Sequence, residues 1–343
     1  MRIATYNVEW FANLFDAQGQ MLADDGWSGR HNVTRADQLG ALGIVFTAMD
    51  ADAVLIVEAP DTNRRRSTVA MLEVFAQHFG LRSRAALIGF ANASQQELAL
   101  LHDPDRLTAR HDPMGETGAP EAGFAAPRFD GSYRIDLDID AAPETVRFAK
   151  PPLEVALRTA SGTDLRLIGV HVKSKAPHGA STPEQILRLA IQNRRKQLAE
   201  CIWLRQRVVE HLTACEDLIV LGDFNDGPGL DEYEKLFGRS GVEIVMGEDA
   251  PPELRLHDPH ARIRAAHATA AAPASARFYL DAEGQFFSAM LDFVMISPSL
   301  LARRPKWRIW HPFDDPAIYK VPELREALLA ASDHYPVTLD LEV

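Results

Sequence analysis

Cysteine is scarce: 343 residues contain only Cys201 and Cys215. Both fall in or near one predicted helix, about four turns apart, too far for a disulfide along a continuous helix. A disulfide-stapled scaffold is therefore excluded. Neither cysteine has the neighbours of a zinc pair, so buried packing is the expected role and a reducing cytoplasm the expected compartment. Long apolar runs are missing too. No stretch is long enough to cross a bilayer as a helix. The N-terminus enters Arg2-Ile3-Ala4-Thr5-Tyr6-Asn7 without the apolar stretch behind a basic start that a secretion signal needs. Basic residues are in deficit, 36 against 48 acidic, for a net charge of −12. That deficit counts against tight nonspecific binding to long DNA, whose affinity comes largely from cationic contacts. It leaves open work on a single phosphate, where local basic residues and a divalent ion suffice. Small phosphorylated metabolites and lipid headgroups stay in play. There is no Gly-rich nucleotide loop, no zinc-finger spacing, no metalloprotease helix and no internal repeat.

What the chain does have is a set of apolar strands with polar tips. Leu218-Ile219-Val220-Leu221 reads as a buried strand and runs into Gly222-Asp223-Phe224-Asn225-Asp226. Asp223 and Asn225 are two apart, so in extended backbone they point to the same side. The first strand, Arg2–Val8, carries Asn7 at its end. Ala53-Val54-Leu55-Ile56-Val57 delivers Glu58. Leu165–Val170 delivers His171-Val172-Lys173-Ser174-Lys175. Asp292 opens the strand Asp292–Ile296. Ser332-Asp333-His334-Tyr335-Pro336 precedes the strand Val337–Leu341. An acidic turn after one strand is ordinary turn chemistry. No local structural need explains all six together.

Asn7, Glu58, His171, Asp223, Asn225, Asp292, Asp333 and His334, in this order, resemble the motifs of the endonuclease/exonuclease/phosphatase superfamily. The resemblance spans nearly the whole chain but finds no motif in residues 104–150 or 245–290. It implies an α/β (α+β) deoxyribonuclease I-like fold: a four-layer sandwich of two packed, mostly antiparallel sheets flanked by helices, with the site at one edge. Length alone suggests about two domains. Because Asn7 and His334 would have to meet, one domain over 1–343 is expected, with surface insertions near 104–150 and 245–290.

The implied activity is divalent-metal-dependent hydrolysis of a phosphodiester, with a nuclease favoured. A phosphodiesterase or phosphatase for a small metabolite or lipid headgroup is the alternative, and an idle binding module is the second alternative. Nucleic acid or another phosphoester is the expected partner, and the oligomeric state is open. Carboxylates with hard oxygen donors suit Mg2+ or Mn2+ better than zinc. Glu58 is the expected metal ligand, with Asp333 as a second or water-mediated one. A salt bridge from Glu58 to Arg64, Arg65 or Arg66 is the competing reading. His334 is the candidate base or phosphate contact, oriented by Asp292 as the resemblance implies. Asp223 would orient the attacking water. Asn225 and Asn7 would donate amide hydrogens to phosphate oxygens, and His171 would face the phosphate from the other side or help the leaving group. Glu97 or Gln96 could partner His171.

The remaining expectations concern the surround. Helices are expected from Thr34 towards Met49, from Arg65 to Phe79 with Gly80 as the stop, and from Pro183 or Glu184 to about Leu212 capped by Thr182. On the last, Leu187, Ile191, Leu198, Ile202 and Val209 make an apolar stripe that also contains Arg194. That places Arg194 either in a buried ion pair or on the substrate phosphate. Lys173 and Lys175 either attract anionic substrate or form a solvated loop. Trp307-Arg308-Ile309-Trp310 reads as a packed edge strand rather than a base-stacking surface. Residues 112–131 read as a mobile surface loop, and 264–276 as helix or loop.

Overall fold

The chain starts as a strand, β1 (Arg2–Asn7), and Thr34 then caps the first helix, α1 (Arg35–Met49). Thr34 Oγ1 accepts the Asp37 N–H while the Asp37 carboxylate reaches back to the Thr34 N–H, satisfying two free donors at once. The structure, a computed structural model, describes residues 1–92, 94, 96–117, 125–135, 144–177, 179–227, 238–261, 273–280 and 284–343. There follow β2 (Ala53–Ala59), α2 (Thr68–His78), β3 (Ala85–Ile88), β4 (Glu97–His102), β5 (Leu107–His111), β6 (Tyr133–Ile135) and β7 (Glu144–Val146). The centre of the chain supplies β8 (Leu153–Thr159), β9 (Asp164–His171), α3 (Pro183–Thr213), β10 (Leu218–Asp223) and α4 (Gly241–Met246). The last third supplies β11 (Ala276–Leu280), β12 (Gln285–Ala289), β13 (Asp292–Ile296), β14 (Lys306–Ile309), α5 (Pro316–Tyr319), α6 (Pro322–Ala331) and β15 (Val337–Asp340).

Two sheets result. One has the order β14-β15-β1-β2-β4-β3, the other β13-β10-β9-β8-β5. Only β1–β2 and β9–β10 pair in parallel in them; every other neighbour is antiparallel. Period-2 alternation decides what packs where. Ile3, Leu55, Leu167, Leu221, Val294 and Leu339 point between the sheets. Their neighbours Ala4, Tyr6, Val54 and Ile56 face α1, α2 and α6 on one outside, and Ile168, Val170, Val220 and Met295 face α3 and α4 on the other. This is the expected helix–sheet–sheet–helix layering. Gly169 has a packing reason: a Cβ there would lie 2.3 Å from Leu55 Cδ1 of the opposing sheet. Leu55 is fully buried, a contribution of roughly 2 kcal/mol.

Several expectations need correcting. The second helix starts at Thr68 rather than Arg65, because Asn63 Oδ1 captures the N–H groups of Arg65 and Arg66 in a turn that Ser67 then ends as the cap. Of the stripe on α3 only Arg194 and Leu198 are buried; Ile191, Ile202 and Val209 are half-buried and Leu187 is 50% exposed. A 31-residue helix is roughly 46 Å long, about twice the length of the six- to eight-residue strands beneath it, so its first turns overhang. Cys215 is exposed just past the helix end, and only Cys201 is buried. The 104–150 stretch is more than a surface insertion, since it supplies β5 to the second sheet. Of 112–131, residues 118–124 lie outside the described residues; the rest is pinned, with Phe129 buried against Trp203. Most of 264–276 lies outside the described residues, and Ala276 opens β11. The Trp307 strand is the sheet edge expected of it, with Trp307 Nε1 donating to the Val294 carbonyl and Trp310 Nε1 to Thr338 Oγ1, so both indoles are held within the fold. No described helix is long and apolar enough to cross a membrane.

Candidate active site

The strand directions bring the polar tips together. β1 and β2 run parallel, as do β9 and β10, so Asn7, Glu58, His171 and Asp223 leave their strands at one rim. Antiparallel partners begin where these end. Asp292 stands directly opposite Asp223, and Asp333 and His334 precede β15 beside the end of β1. Asn7, Glu58, His171, Asp223, Asn225, Asp333, His334 and Lys173 line one cleft of about 600 Å³.

Backbone strain aims two of them. Glu58 sits at φ +63 in a bulge of β2, which turns it out of the ladder and into the cleft. Asn225 sits at φ +48, and its N–H donates to Asp223 Oδ1 at 2.7 Å. Gly222 just before Asp223 admits no side chain, since a Cβ would lie 2.0 Å from the Val170 carbonyl oxygen. Asp223 is thus held on all sides. Asn7 Nδ2 and Asn225 Nδ2 also donate to its Oδ2, at 3.0 and 3.3 Å. In this state the two amides serve Asp223 rather than standing free for a phosphate, and Asn225 Nδ2 donates to the Val172 carbonyl as well.

His334 Nδ1 meets Asp292 Oδ2 at 2.7 Å, both buried. The Ser275 hydroxyl donates to the same oxygen at 2.7 Å and itself accepts the Leu291 and Asp292 N–H groups. His334 Nε2 faces the cleft, 4.0 Å from Asp223 Oδ2 and 4.0 Å from Asp333 Oδ1. Burial disfavours the imidazolium, but Asp292 and Asp223 outweigh it and push His334 up to about 10. Asp223 is pushed up to about 7 by burial and by Asp292, against His334 and its two amide donors. His171 goes the other way: burial and the cations Lys150 and His334 hold it well below its ordinary value, so it is neutral. Burial raises Glu58, moderated by Lys150.

The oxygens suit a hard divalent cation. Asn7 Oδ1, Asp333 Oδ1 and Asp292 Oδ1 are buried without a hydrogen-bond partner, which is costly unless something binds them. Asp223, Asp292 and His334 bring ligand-type atoms within 4.8 Å of one another, a group that could hold a cation. The hydrogen bond between His334 Nδ1 and Asp292 Oδ2 ties that pair to each other, whereas Asn7 Oδ1 and Asp333 Oδ1 have no partner and Glu58 has only a 3.5 Å contact from the Trp10 N–H, so Glu58, Asn7 and Asp333 form a second donor set. Glu58 makes no ion pair with its arginine neighbours among the described residues; Arg66 pairs with Asp61 instead.

Arg194 does not reach the cleft. It is buried, with Nη1 2.6 Å from Asp226 Oδ2 and 2.6 Å from Gln197 Oε1, so the ion-pair alternative is the correct one. Lys175 joins the same carboxylate at 2.8 Å, leaving Lys173 as the cleft lysine of that pair. Arg194→Met would remove one of the two cations on a buried carboxylate, leaving Lys175 and the Gly241 N–H, and is expected to cost about 2 kcal/mol in urea unfolding with kcat within a few-fold of wild type; a large rise in KM at unchanged stability would restore the phosphate role. Glu97 does not partner His171 either; it accepts from Asn92 Nδ2 at 2.7 Å. His171 instead meets Lys150, whose Nζ lies 3.0 Å from Nδ1. Lys150 was not anticipated, nor were Ser275, Glu200, whose carboxylate accepts the Lys173 N–H at 2.8 Å, and Arg30, which pairs with Glu9 and lies 4.0 Å from Asp333 Oδ1. Lys150 stands just before Pro151-Pro152 and the β8 run, and a cation tied to a strand start by two prolines is the signal that could have found it.

Residues 4–334 match the model of the Endonuclease/Exonuclease/phosphatase family. Among solved structures, an AP endonuclease from Archaeoglobus fulgidus is 12% identical, with TM-score 0.52 over 100% of both chains. TDP2 from Caenorhabditis elegans is 12% identical, with TM-score 0.50 over 99% of this chain and 73% of that one. The 3′ phosphatase NExo from Neisseria, solved with a product DNA hairpin, is 16% identical, with TM-score 0.49 over 100% of both chains. No curated protein matches by sequence. The architecture is of the deoxyribonuclease I-like type that the strand-end motifs implied.

Proposed function

This chain belongs to the Endonuclease/Exonuclease/phosphatase family of metal-dependent phosphoric ester hydrolases, and from that premise we propose that it cleaves phosphodiester bonds in nucleic acid. The room beside the phosphate site supports a diester over a monoester. The cleft continues past Asp333 and Phe278 into a second cavity of about 430 Å³, which a bare phosphate monoester would leave empty.

In this reading Asp223 orients the attacking water and takes its proton; a carboxylate near 7 is matched to that task at neutral pH. His334 is held as imidazolium by Asp292 and presents Nε2–H to the charge that grows on the phosphoryl oxygens. Lys150 and Lys173 add cationic field from the wall formed by β9 and the β7–β8 link, and neutral His171 faces the leaving oxygen. Asn7 and Asn225 exchange their bonds to Asp223 for phosphate oxygens when substrate enters. Glu58 and Asp333, with Asn7 Oδ1, would hold Mg2+ or Mn2+. Such an ion supplies charge neutralisation at phosphorus and stabilises the leaving oxygen.

The test is a substrate panel with added magnesium or manganese: plasmid, single-stranded DNA, RNA, small phosphodiesters and phosphate monoesters, with the Glu58→Ala protein as blank. Metal-dependent cleavage of a nucleic acid above the blank is expected. Turnover of monoesters alone would replace the nuclease with a phosphatase. No hydrolysis on any arm would favour an idle binding module.

A further inference from the structure

We propose that the cavity beside the catalytic cleft is a nucleotide subsite that stacks an unpaired base flanking the scissile phosphate and holds that nucleotide's own phosphate on Arg277. This rests on the nuclease reading of the cleft. The two spaces are continuous, sharing Glu9, Phe278 and Asp333. Phe278 is their common wall, edge-on to the His334 ring at 5.5 Å. On the far side, the β11–β12 hairpin turns two large rings to solvent: Tyr279 is 37% exposed and Phe286 54%. Exposed aromatic rings gathered in one patch mark a surface that something covers.

The rings are already ordered. Tyr279 and Phe286 meet edge to face at 5.1 Å, and His31 stacks on Tyr279 at 4.8 Å and 28°. A platform fixed before binding loses little entropy when a base lands on it. The Arg277 guanidinium lies 4.1 Å over the Phe286 ring. Among the described residues no carboxylate lies within 4.0 Å of it. In a chain of net charge −12 an uncompensated guanidinium at a cavity mouth is the complement of an anion. Aromatic faces and a phosphate-binding cation side by side match the two halves of a nucleotide. The base must be unpaired, because a duplex buries its π-faces, and the acidic surface disfavours a long double strand.

The experiment compares wild type, Phe286→Ala and Arg277→Gln, neither of which lies in the catalytic machinery. Substrates are a single-stranded oligonucleotide, the same strand with abasic sugars flanking the cut, and a small phosphodiester without bases. Anisotropy of a fluorescent phosphorothioate strand reads binding without turnover. Loss of one stacked base predicts about a tenfold rise in KM for Phe286→Ala on the normal strand, with kcat within twofold and no change on the abasic strand. Arg277→Gln should weaken both strands and flatten the salt dependence of binding. Equal effects of Phe286→Ala on normal and abasic strands would overturn the subsite and leave the nuclease standing. A wild type that binds the strand in a Phe286-dependent way but cleaves none would keep the subsite and sink the nuclease. A wild type that neither binds nor cleaves would sink both.

Discussion

Asp292→Asn is expected to lower kcat/KM on the order of 10³-fold at neutral pH while the protein folds normally. The amide has the size of the carboxylate, and Ser275 remains to hold it. What disappears is the charge that keeps His334 as an imidazolium. In the wild type His334 is pushed up to about 10 and Asp223 up to about 7. If Asp223 must be ionised and His334 protonated, the rate profile is a bell with its acid limb near 7 and its alkaline limb near 10. Removing the Asp292 charge lowers both groups, so both limbs should move to lower pH. His334→Ala should abolish the alkaline limb altogether. A stability signature accompanies the rate. The folded-state value of His334 lies above its unfolded value of about 6.5, so its contribution is fully present below pH 6.5 and is lost as pH rises through about 10. Thermal melts of wild type between pH 7 and 10 should show that loss, and Asp292→Asn should lack it. An Asp292→Asn profile whose alkaline limb stays in place would show that the dyad is not the titrating unit.

The polar tips were legible as polar residues at the ends of apolar strands, and it was the family resemblance that grouped Asn7, Glu58, His171, Asp223, Asp292 and His334. The strand directions give the physical reason: a parallel pair ends on one rim, and an antiparallel partner begins there. The aim of the side chains was not legible. Nothing in Val57-Glu58-Ala59 announces the bulge that turns Glu58 inward, because a bulge depends on how β4 pairs across from it. Arg194 shows the limit of helical periodicity. The stripe told that it faces inward, but only the tertiary position of Asp226, 32 residues on, decides between a buried partner and a substrate. Lys150, Arg30 and Ser275 lie outside the strands that carried the pattern. Lys150 and Ser275 border strands, but on segments without the alternation that would orient them.

Asp223 also explains why the tips must converge so tightly. A carboxylate with 1% exposure is expensive in a low-dielectric site, and three donors from two segments stabilise it: Asn7 from β1, and the backbone and side chain of Asn225 beyond β10. Ser332 ties β1 to the His334 segment, donating to the Asn7 carbonyl at 2.7 Å and accepting the His334 N–H at 3.1 Å. Displacing one sheet against the other would take the Asn7 donor from the Asp223 carboxylate, so the sandwich core and the site stabilise each other.

Glu58→Gln is expected to abolish metal-dependent turnover, with a loss of about 10²-fold or more, and to abolish the stabilisation that Mg2+ or Mn2+ gives the folded protein. Saturating metal at a hundred times its Kd stabilises by about 2.7 kcal/mol, roughly a 5 °C rise in Tm for a chain of this size. The variant should show almost none of it. The metal-free comparison separates this from a structural role. Glu58 is an acid raised by burial at φ +63, with only a weak bond from the Trp10 N–H at 3.5 Å. A glutamine removes the desolvated charge, so the metal-free variant should be as stable as the wild type at neutral pH or slightly more so. Glu58→Gly suits the left-handed backbone better still and should gain about 1 kcal/mol while remaining inactive. Strain retained at a position where a carboxylate faces the cleft is what a ligand role requires. A Glu58→Gln protein that melts earlier without metal, yet responds to Mg2+ as the wild type does, would return Glu58 to the scaffold and move the cation to the Asp223–Asp292–His334 group.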